Sequence, residues 1–212
     1  MHLTVFGATG RTGVPLVRQA LARGHRVTAH VRTPSRLPAD LAARATVVQG
    51  DVLDAASVAR AVEGADAVLL ALAPTSGTGP PVQTRGTEHV VAAMRVHGVA
   101  RVVSLTGAGV PDARDEGGLG PAVVRGVMRL VVPGLLADAR GHADVLRASG
   151  LDYTIVRAPR LTRGPATGRY RSGFFALGPG HQISRADAAA FMLDCAERGL
   201  HSREAPVVTG TA

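Results

Sequence analysis

The sequence predicts an α/β protein, a doubly wound parallel sheet with helices on both faces, built as a single domain. Three observations carry this expectation. Short apolar runs alternate with longer helical stretches along most of the 212 residues. The short runs are nearly continuous in apolar character, as strands covered on both faces must be. The first run leads straight into a glycine-rich turn, Gly7-Ala-Thr-Gly-Arg-Thr-Gly13, which opens an amphipathic helix.

In chain order the expected strands are Leu3–Phe6, Arg26–Val31, Thr46–Gln49, Ala67–Leu72, Arg101–Leu105 and Tyr153–Arg157, with a short late strand at Pro206–Thr209. Helices are expected between them. Gly10–Arg23 carries Val14, Val17 and Leu21 on one face and stops at Gly24. Asp54–Glu63 starts on Asp54 as N-cap, and Val82–His97 ends at Gly98. Asp138–Ser149 ends at Gly150, and Ser184–Glu197 opens on Ser184 and Asp187, a pair like a capping box. Two stretches rich in Pro and Gly, Pro74–Pro81 and Gly107–Pro121, directly follow strands. In an open α/β sheet such loops lie outside the carboxyl ends of the strands, where ligands bind. Residues 158–212 read as a small C-terminal substrate lobe on the same domain.

Composition excludes several functions. Of the residues, 46% are hydrophobic and 19% charged, ordinary for a globular chain. The formal charge is +8, and all 24 basic residues are arginine. Without lysine there is no Schiff base, no P-loop lysine and no Tyr-x-x-x-Lys pair. The arginines are scattered and aromatic residues make up only 3%, which argues against nucleic acid as the partner. The single cysteine, Cys195, allows no internal disulfide. It falls on an apolar helical face with Phe191 and Met192 and reads as inert core. The spacing of His and acidic residues offers no metal set. The first strand begins at His2 or Leu3, leaving no room for a signal peptide, and no apolar run is long enough to span a bilayer. A cytoplasmic protein with no membrane partner is expected.

The glycine turn points to a dinucleotide. One glycine makes the tight turn, one lets backbone approach a pyrophosphate, and one lets helix and strand pack closely. The helix N-terminus offers free N–H groups to the phosphates. Gly7, Thr9, Gly10, Arg11, Thr12 and Gly13 are therefore candidate cofactor contacts, the alternative being a glycine turn with no ligand. An NAD-preferring site places an acidic residue ~20 residues past the motif. Here Arg32 stands 19 residues past Gly13, and the next acid is Asp40. Arg36 follows one helical turn later, and Arg11 is a further candidate to reach the same phosphate. A guanidinium suits a 2′-phosphate, so NADP(H) is favoured over NAD(H). After the third strand, Asp51 and Val52 either border the adenine or merely shape a turn. Ala71, Leu72 and Ala73, at the end of the fourth strand and just past it, border the expected cofactor groove.

These residues resemble a known family. Phe6-Gly-Ala-Thr-Gly-Arg-Thr-Gly13, Val31-Arg32 with Ser35-Arg36-Leu37, and Gly50-Asp51-Val52 recur in order. So do Val90-Val-Ala-Ala-Met94 with His97-Gly98-Val99, Val145-Leu-Arg147 with Ser149-Gly-Leu151, and Phe191-Met192-Leu193. The chain resembles the atypical short-chain dehydrogenase/reductases, in particular the biliverdin reductase B and flavin reductase group. NmrA-like redox sensors share the fold and the glycine pattern. The resemblance implies a Rossmann fold, NADPH, and reduction of a flavin, a quinone or a similar planar acceptor. A non-catalytic NADP(H)-binding sensor is the alternative. The chain departs from the group at two positions: Gly107 stands where a serine follows the fifth strand, and Arg160 where a histidine follows the sixth.

The remaining candidates face the expected nicotinamide end. Ser104 and Thr106 close the fifth strand; Pro159 and Arg160 follow the sixth. Ser104 and Pro159 are candidate cofactor contacts. Thr106 and Arg160 are candidate catalytic groups: Thr106 as a hydrogen-bond donor to nicotinamide or substrate, Arg160 as a holder of an anionic or developing negative group. Equally, Thr106 can bond within its own loop and Arg160 can be a surface residue. His142 reads as a helix-surface residue or, less simply, a proton donor. Phe174 and Phe175 are expected as wall or core of the last lobe.

Overall fold

A computed structural model of the chain describes residues 1–73, 81–115, 133–178 and 180–211. The expected α/β architecture is present. Among the described residues ten strands and six helices run in the order β1 (His2–Phe6), α1 (Gly13–Ala22), β2 (Arg26–Val31), α2 (Ala39–Ala42), β3 (Thr46–Gln49), α3 (Ala55–Val62), β4 (Ala67–Leu70), α4 (Val82–Val96), β5 (Arg101–Gly107), α5 (Pro133–Ala148), β6 (Asp152–Ala158), β7 (Arg160–Thr162), β8 (Tyr170–Gly173), β9 (Gln182–Ser184), α6 (Arg185–Arg198) and β10 (Val207–Gly210). Eight strands form one sheet in the order β3-β2-β1-β4-β5-β6-β10-β8. Chain order reverses beside β1, between β2 and β4, so the carboxyl ends of β1 and β4 flank a crevice at the switch point. All pairings are parallel except β8, which runs antiparallel to β10 at the edge.

The pleat divides the core. Leu3 and Val5 of β1 face α1 and α6, packing with Leu16, Val17, Phe191 and Met192. Phe6 faces the other way, with Val68, Leu70, Val90, Met94 and Leu146, under α3, α4 and α5. Thr4 shares that second face and donates its hydroxyl to the Ala61 carbonyl of α3 at 2.7 Å. The polar residue is thus absorbed by a backbone acceptor.

Several boundaries differ from expectation for local reasons. Helix α1 starts at Gly13 rather than Gly10, because Gly10 N–H closes a turn on the Gly7 carbonyl (2.8 Å). Strand β5 continues to Gly107, paired with Ala158. Strand β4 stops at Leu70, and α5 starts five residues before Asp138. Strands β7, β8 and β9 are short and polar and carry no apolar alternation, so periodicity gives no sign of them. Residues 74–80 of the first Pro/Gly-rich loop and 116–121 of the second lie outside the described residues. Asp54 caps α3 as expected, accepting from Ala56 N–H at 3.0 Å, and Ser184 caps α6 by accepting from Asp187 N–H at 2.9 Å. Cys195 is fully buried, and burial pushes its thiol up to about 12.

Candidate active site

The glycine turn has the geometry its sequence demands. Gly7 sits at φ +76°, and a Cβ there would lie 2.5 Å from the Ala71 carbonyl oxygen. A Cβ on Gly13 would fall 2.0 Å from the Gly7 oxygen and 2.8 Å from Ala8 Cα. These two glycines let β1, the end of β4 and α1 meet backbone to backbone. No acidic residue lies in the first turn of α1 and Thr12 makes no side-chain cap; Val14 N–H is spent on the Gly10 carbonyl (3.0 Å) and Pro15 has none, so among the described residues the Thr12 and Gly13 N–H groups are the ones left open to an anion at this helix start.

At the carboxyl end of β2 the cationic pair is exposed and weakly engaged. Arg32 Nη1 lies 3.9 Å from Asp51 Oδ2, with the Arg32 side chain 73% exposed. Arg36 ends a short 3-10 turn, Pro34–Arg36, and is also exposed. Asp51 spends Oδ1 on the Leu53 N–H at 2.9 Å, a turn-forming bond. Val52 is buried against α4, where a Cβ on Gly86 would meet its Cγ2 at 2.7 Å. Its side chain is therefore a packing element between β3 and α4.

A cleft of about 600 Å³ opens over the carboxyl ends of β1, β4, β5 and β6, a size suited to a small-molecule site. Of the sequence candidates, Gly10, Arg11, Thr12, Ala71, Leu72, Ala73, Thr106 and Pro159 line it. Gly7 and Gly13 shape the turn behind it. Arg32, Arg36, Asp51 and Val52 lie at the β2–β3 end of the crevice. Ser104 is fully buried beneath the cleft, and Arg160 is exposed outside it. Leu135, Leu136 and Ala139 of α5 give the cleft an apolar wall, and Arg185 and Gln83 also line it. None of these five was expected from the sequence.

Two polar atoms in the cleft are unsatisfied. Thr106 is 5% exposed and Gln83 2%, yet among the described residues Thr106 Oγ1 and Gln83 Oε1 have no hydrogen-bond partner. Gln83 Nε2 donates to the Leu72 carbonyl at 2.7 Å, tying α4 to the end of β4. Buried orphans of this kind cost stability unless a ligand satisfies them, and here both border the same cavity. The neighbouring loop is fixed by Arg157, 1% exposed, which donates to both Asp115 oxygens and to the carbonyls of Val110 and Ala205.

His142 is not on the helix surface. It is 1% exposed and held between Ser104 Oγ (2.6 Å from Nε2) and Thr87 Oγ1 (2.7 Å from Nδ1). Thr87 spends its only hydrogen on the Gln83 carbonyl at 2.6 Å. It must therefore accept from His142 Nδ1–H, which leaves Nε2 to accept from the Ser104 hydroxyl. Burial pushes the imidazole down to about 4, so it is neutral near pH 7. One turn earlier on α5, Asp138 caps α4, accepting from Gln83 N–H (3.1 Å) and Thr84 N–H (2.8 Å).

Comparison with known proteins matches this geometry. A sequence profile described as NAD(P)H-binding covers residues 7–198. The chain belongs to the NAD(P)H-binding family. It is 36% identical over 199 residues to a 3-diazoavenalumate denitrifying reductase of a Streptomyces species, covering 84% of this chain and 61% of that protein. The chain spans about three-fifths of the length of the curated relatives it matches first. Two solved structures share the fold. An anaerobillin reductase, ChuY, of Escherichia coli superposes with TM-score 0.82 at 22% identity, over 98% of this chain and 96% of that one. A short-chain dehydrogenase/reductase of Veillonella parvula in complex with NADP gives 0.77 at 21% identity, over 98% and 93%. In this NAD(P)H-binding protein the glycine turn, the open start of α1 and the unsatisfied cleft atoms are the parts that fit a dinucleotide. Among the described residues no helix is long and apolar enough to cross a membrane, and no three His, Cys, Asp or Glu side chains gather to hold a metal.

Proposed function

We propose that the chain is an NADPH-dependent reductase that passes hydride to a flavin, a quinone or a similar planar acceptor, in the manner of the biliverdin reductase B and flavin reductase group. The observation that carries this reading is the make-up of the cleft. Its α5 wall is apolar, and the chain has no lysine to complete a Tyr-x-x-x-Lys pair. Reduction of a simple ketone calls for a placed acid. A flavin or quinone can collect its proton from water, so position and electrostatics suffice.

In this reading the backbone N–H groups of the glycine turn and of the start of α1 hold the pyrophosphate, and Arg32 and Arg36 hold the 2′-phosphate. When bound, the dinucleotide supplies the hydride. Ala71, Leu72, Ala73 and Pro159 border the nicotinamide half. The Thr106 hydroxyl and Gln83 Oε1 meet polar atoms of the nicotinamide or the acceptor. Residues 158–212 form the acceptor-facing lobe. Ser104, His142 and Thr87 do not line the cleft; their chain holds α4 and α5 against β5, and this reading gives it no part in proton transfer.

The test is NADPH oxidation with FMN, riboflavin and a small quinone, beside affinities for NADPH and NADH. Acceptor-dependent oxidation with NADPH preferred supports the reading. Equal affinity for the two cofactors removes the role given to Arg32 and Arg36. Tight NADPH binding with no turnover for any acceptor sinks the reductase and favours a cofactor-sensing protein.

A further inference from the structure

Eight of the described arginines are paired with acids. Arg18 meets Asp40, Arg23 meets Asp194 and Glu197, Arg101 meets Asp152, and Arg157 meets Asp115. Three others gather with no acid among them. Arg11 of the glycine turn, Arg163 of the loop after β7 and Arg185 at the start of α6 line a single pocket of about 280 Å³. Among the described residues neither Arg11 nor Arg163 has a hydrogen-bonding or ionic partner, and no acidic side chain lines the pocket. Arg185 donates only to two carbonyls, Leu161 (3.0 Å) and Thr162 (3.1 Å), which fix its guanidinium in place. The nearby carboxylate of Asp187 is taken up by Thr167, Gly168 and Ser184. Burial, and then the charges of Arg11 and Arg163, hold Arg185 below its ordinary basicity. Three like charges around one hollow repel each other, and an anion placed between them removes that cost.

The pocket is not isolated. Arg11 and Arg185 also line the main cleft, so one molecule can lie in both. The remainder of the main cleft is largely apolar. Resting on the reductase reading above, we propose that Arg11, Arg163 and Arg185 form a subsite for a carboxylate or phosphate on the acceptor, which makes the natural acceptor a planar molecule with an anionic arm. The cofactor's pyrophosphate is the other source of such an anion. Two of the three charges favour the acceptor: Arg163 and Arg185 both come from the segment beyond β6 that forms the acceptor-facing lobe in this reading, while Arg11 alone comes from the glycine turn.

Two measurements on the full chain test this, using R163Q, a change at an exposed side chain without partners. In the first, inorganic phosphate is titrated calorimetrically into protein already saturated with NADP⁺. Saturable binding at about millimolar level, weakened about five- to ten-fold in R163Q, is expected. No saturable binding, or equal binding by R163Q, overturns the proposal. So does a loss in R163Q of affinity for NADP⁺ itself, which would assign the arginines to the cofactor. In the second, the ratio of kcat/KM for FMN to that for riboflavin is measured with NADPH. A ratio of about ten in the wild type, falling toward one in R163Q, is expected. A wild-type ratio of one overturns the proposal. Phosphate binding that depends on Arg163, with neither flavin reduced, upholds the anion subsite and sinks the flavin reading alone.

Discussion

The buried imidazole of His142 makes a quantitative prediction about acid stability. In the folded chain it is neutral, donating from Nδ1 to Thr87 and accepting at Nε2 from Ser104. Burial lowers it from 6.5 to about 4. Between these values the unfolded chain binds a proton that the folded chain refuses, so stability rises with pH across this window. The contribution is complete above pH 6.5 and is lost progressively as pH falls toward 4. At 1.36 kcal/mol per pH unit the full loss is about 3 kcal/mol, of which about 2 kcal/mol is gone at pH 5. The perturbation is H142Q, which keeps a donor and an acceptor but cannot titrate. Its stability at pH 7 can fall by any amount; the readout is the difference between pH 7 and pH 5. Urea unfolding at both pH values gives four midpoints, and other buried groups such as His30 affect both proteins alike. The wild type should lose about 2 kcal/mol more than H142Q on acidification. Equal losses would mean that His142 does not stay neutral in the folded state, and the proton assignment through Thr87 would be refuted.

Three further outcomes follow from the cleft and its supports. G13A places a Cβ 2.0 Å from the Gly7 oxygen; it should destabilise the fold by about 1–3 kcal/mol in urea titrations and abolish measurable NADPH binding. T106V removes a hydroxyl with no native partner, so its urea midpoint should stay within about 0.5 kcal/mol of wild type while kcat/KM falls about ten-fold; lost stability with unchanged turnover would make the hydroxyl structural. D138A removes the acceptor for the Gln83 and Thr84 N–H groups at the start of α4, and thermal unfolding should show a loss of about 1–2 kcal/mol.

What the sequence disclosed was local. The glycine turn, the apolar strands and the caps at Asp54 and Ser184 depend on residues within a few positions of one another, and such patterns are readable along a chain. The cleft wall is different. Leu135, Leu136, Gln83 and Arg185 start from three helices far apart in sequence, and only strand order brings them over the ends of β4, β5 and β6. Arg160, legible as the second residue after β6, opens β7 and lies exposed outside the cleft. The arginines that line the cleft are Arg11 of the glycine turn and Arg185 of α6.

A signal for the buried polar network did exist. Gln83 and Thr87 stand four apart on α4, and Asp138 and His142 stand four apart on α5. Each pair lies on one face of its helix. Gln83 meets Asp138, and Thr87 meets His142 one turn further on. Contacts that advance together along both helices require α4 and α5 to run parallel, as two helices that each follow a strand of one parallel sheet must. Gly141 allows the close approach, since a Cβ there would meet Thr84 Oγ1 at 2.5 Å. Polar pairs at helical spacing, interrupting apolar stripes on two helices of the same hand and direction, therefore mark an interhelical contact. The same contact leaves Gln83 Oε1 unspent beside the cleft. The framework that aligns the two helices thus ends on one of the two polar atoms the cleft holds ready for a ligand.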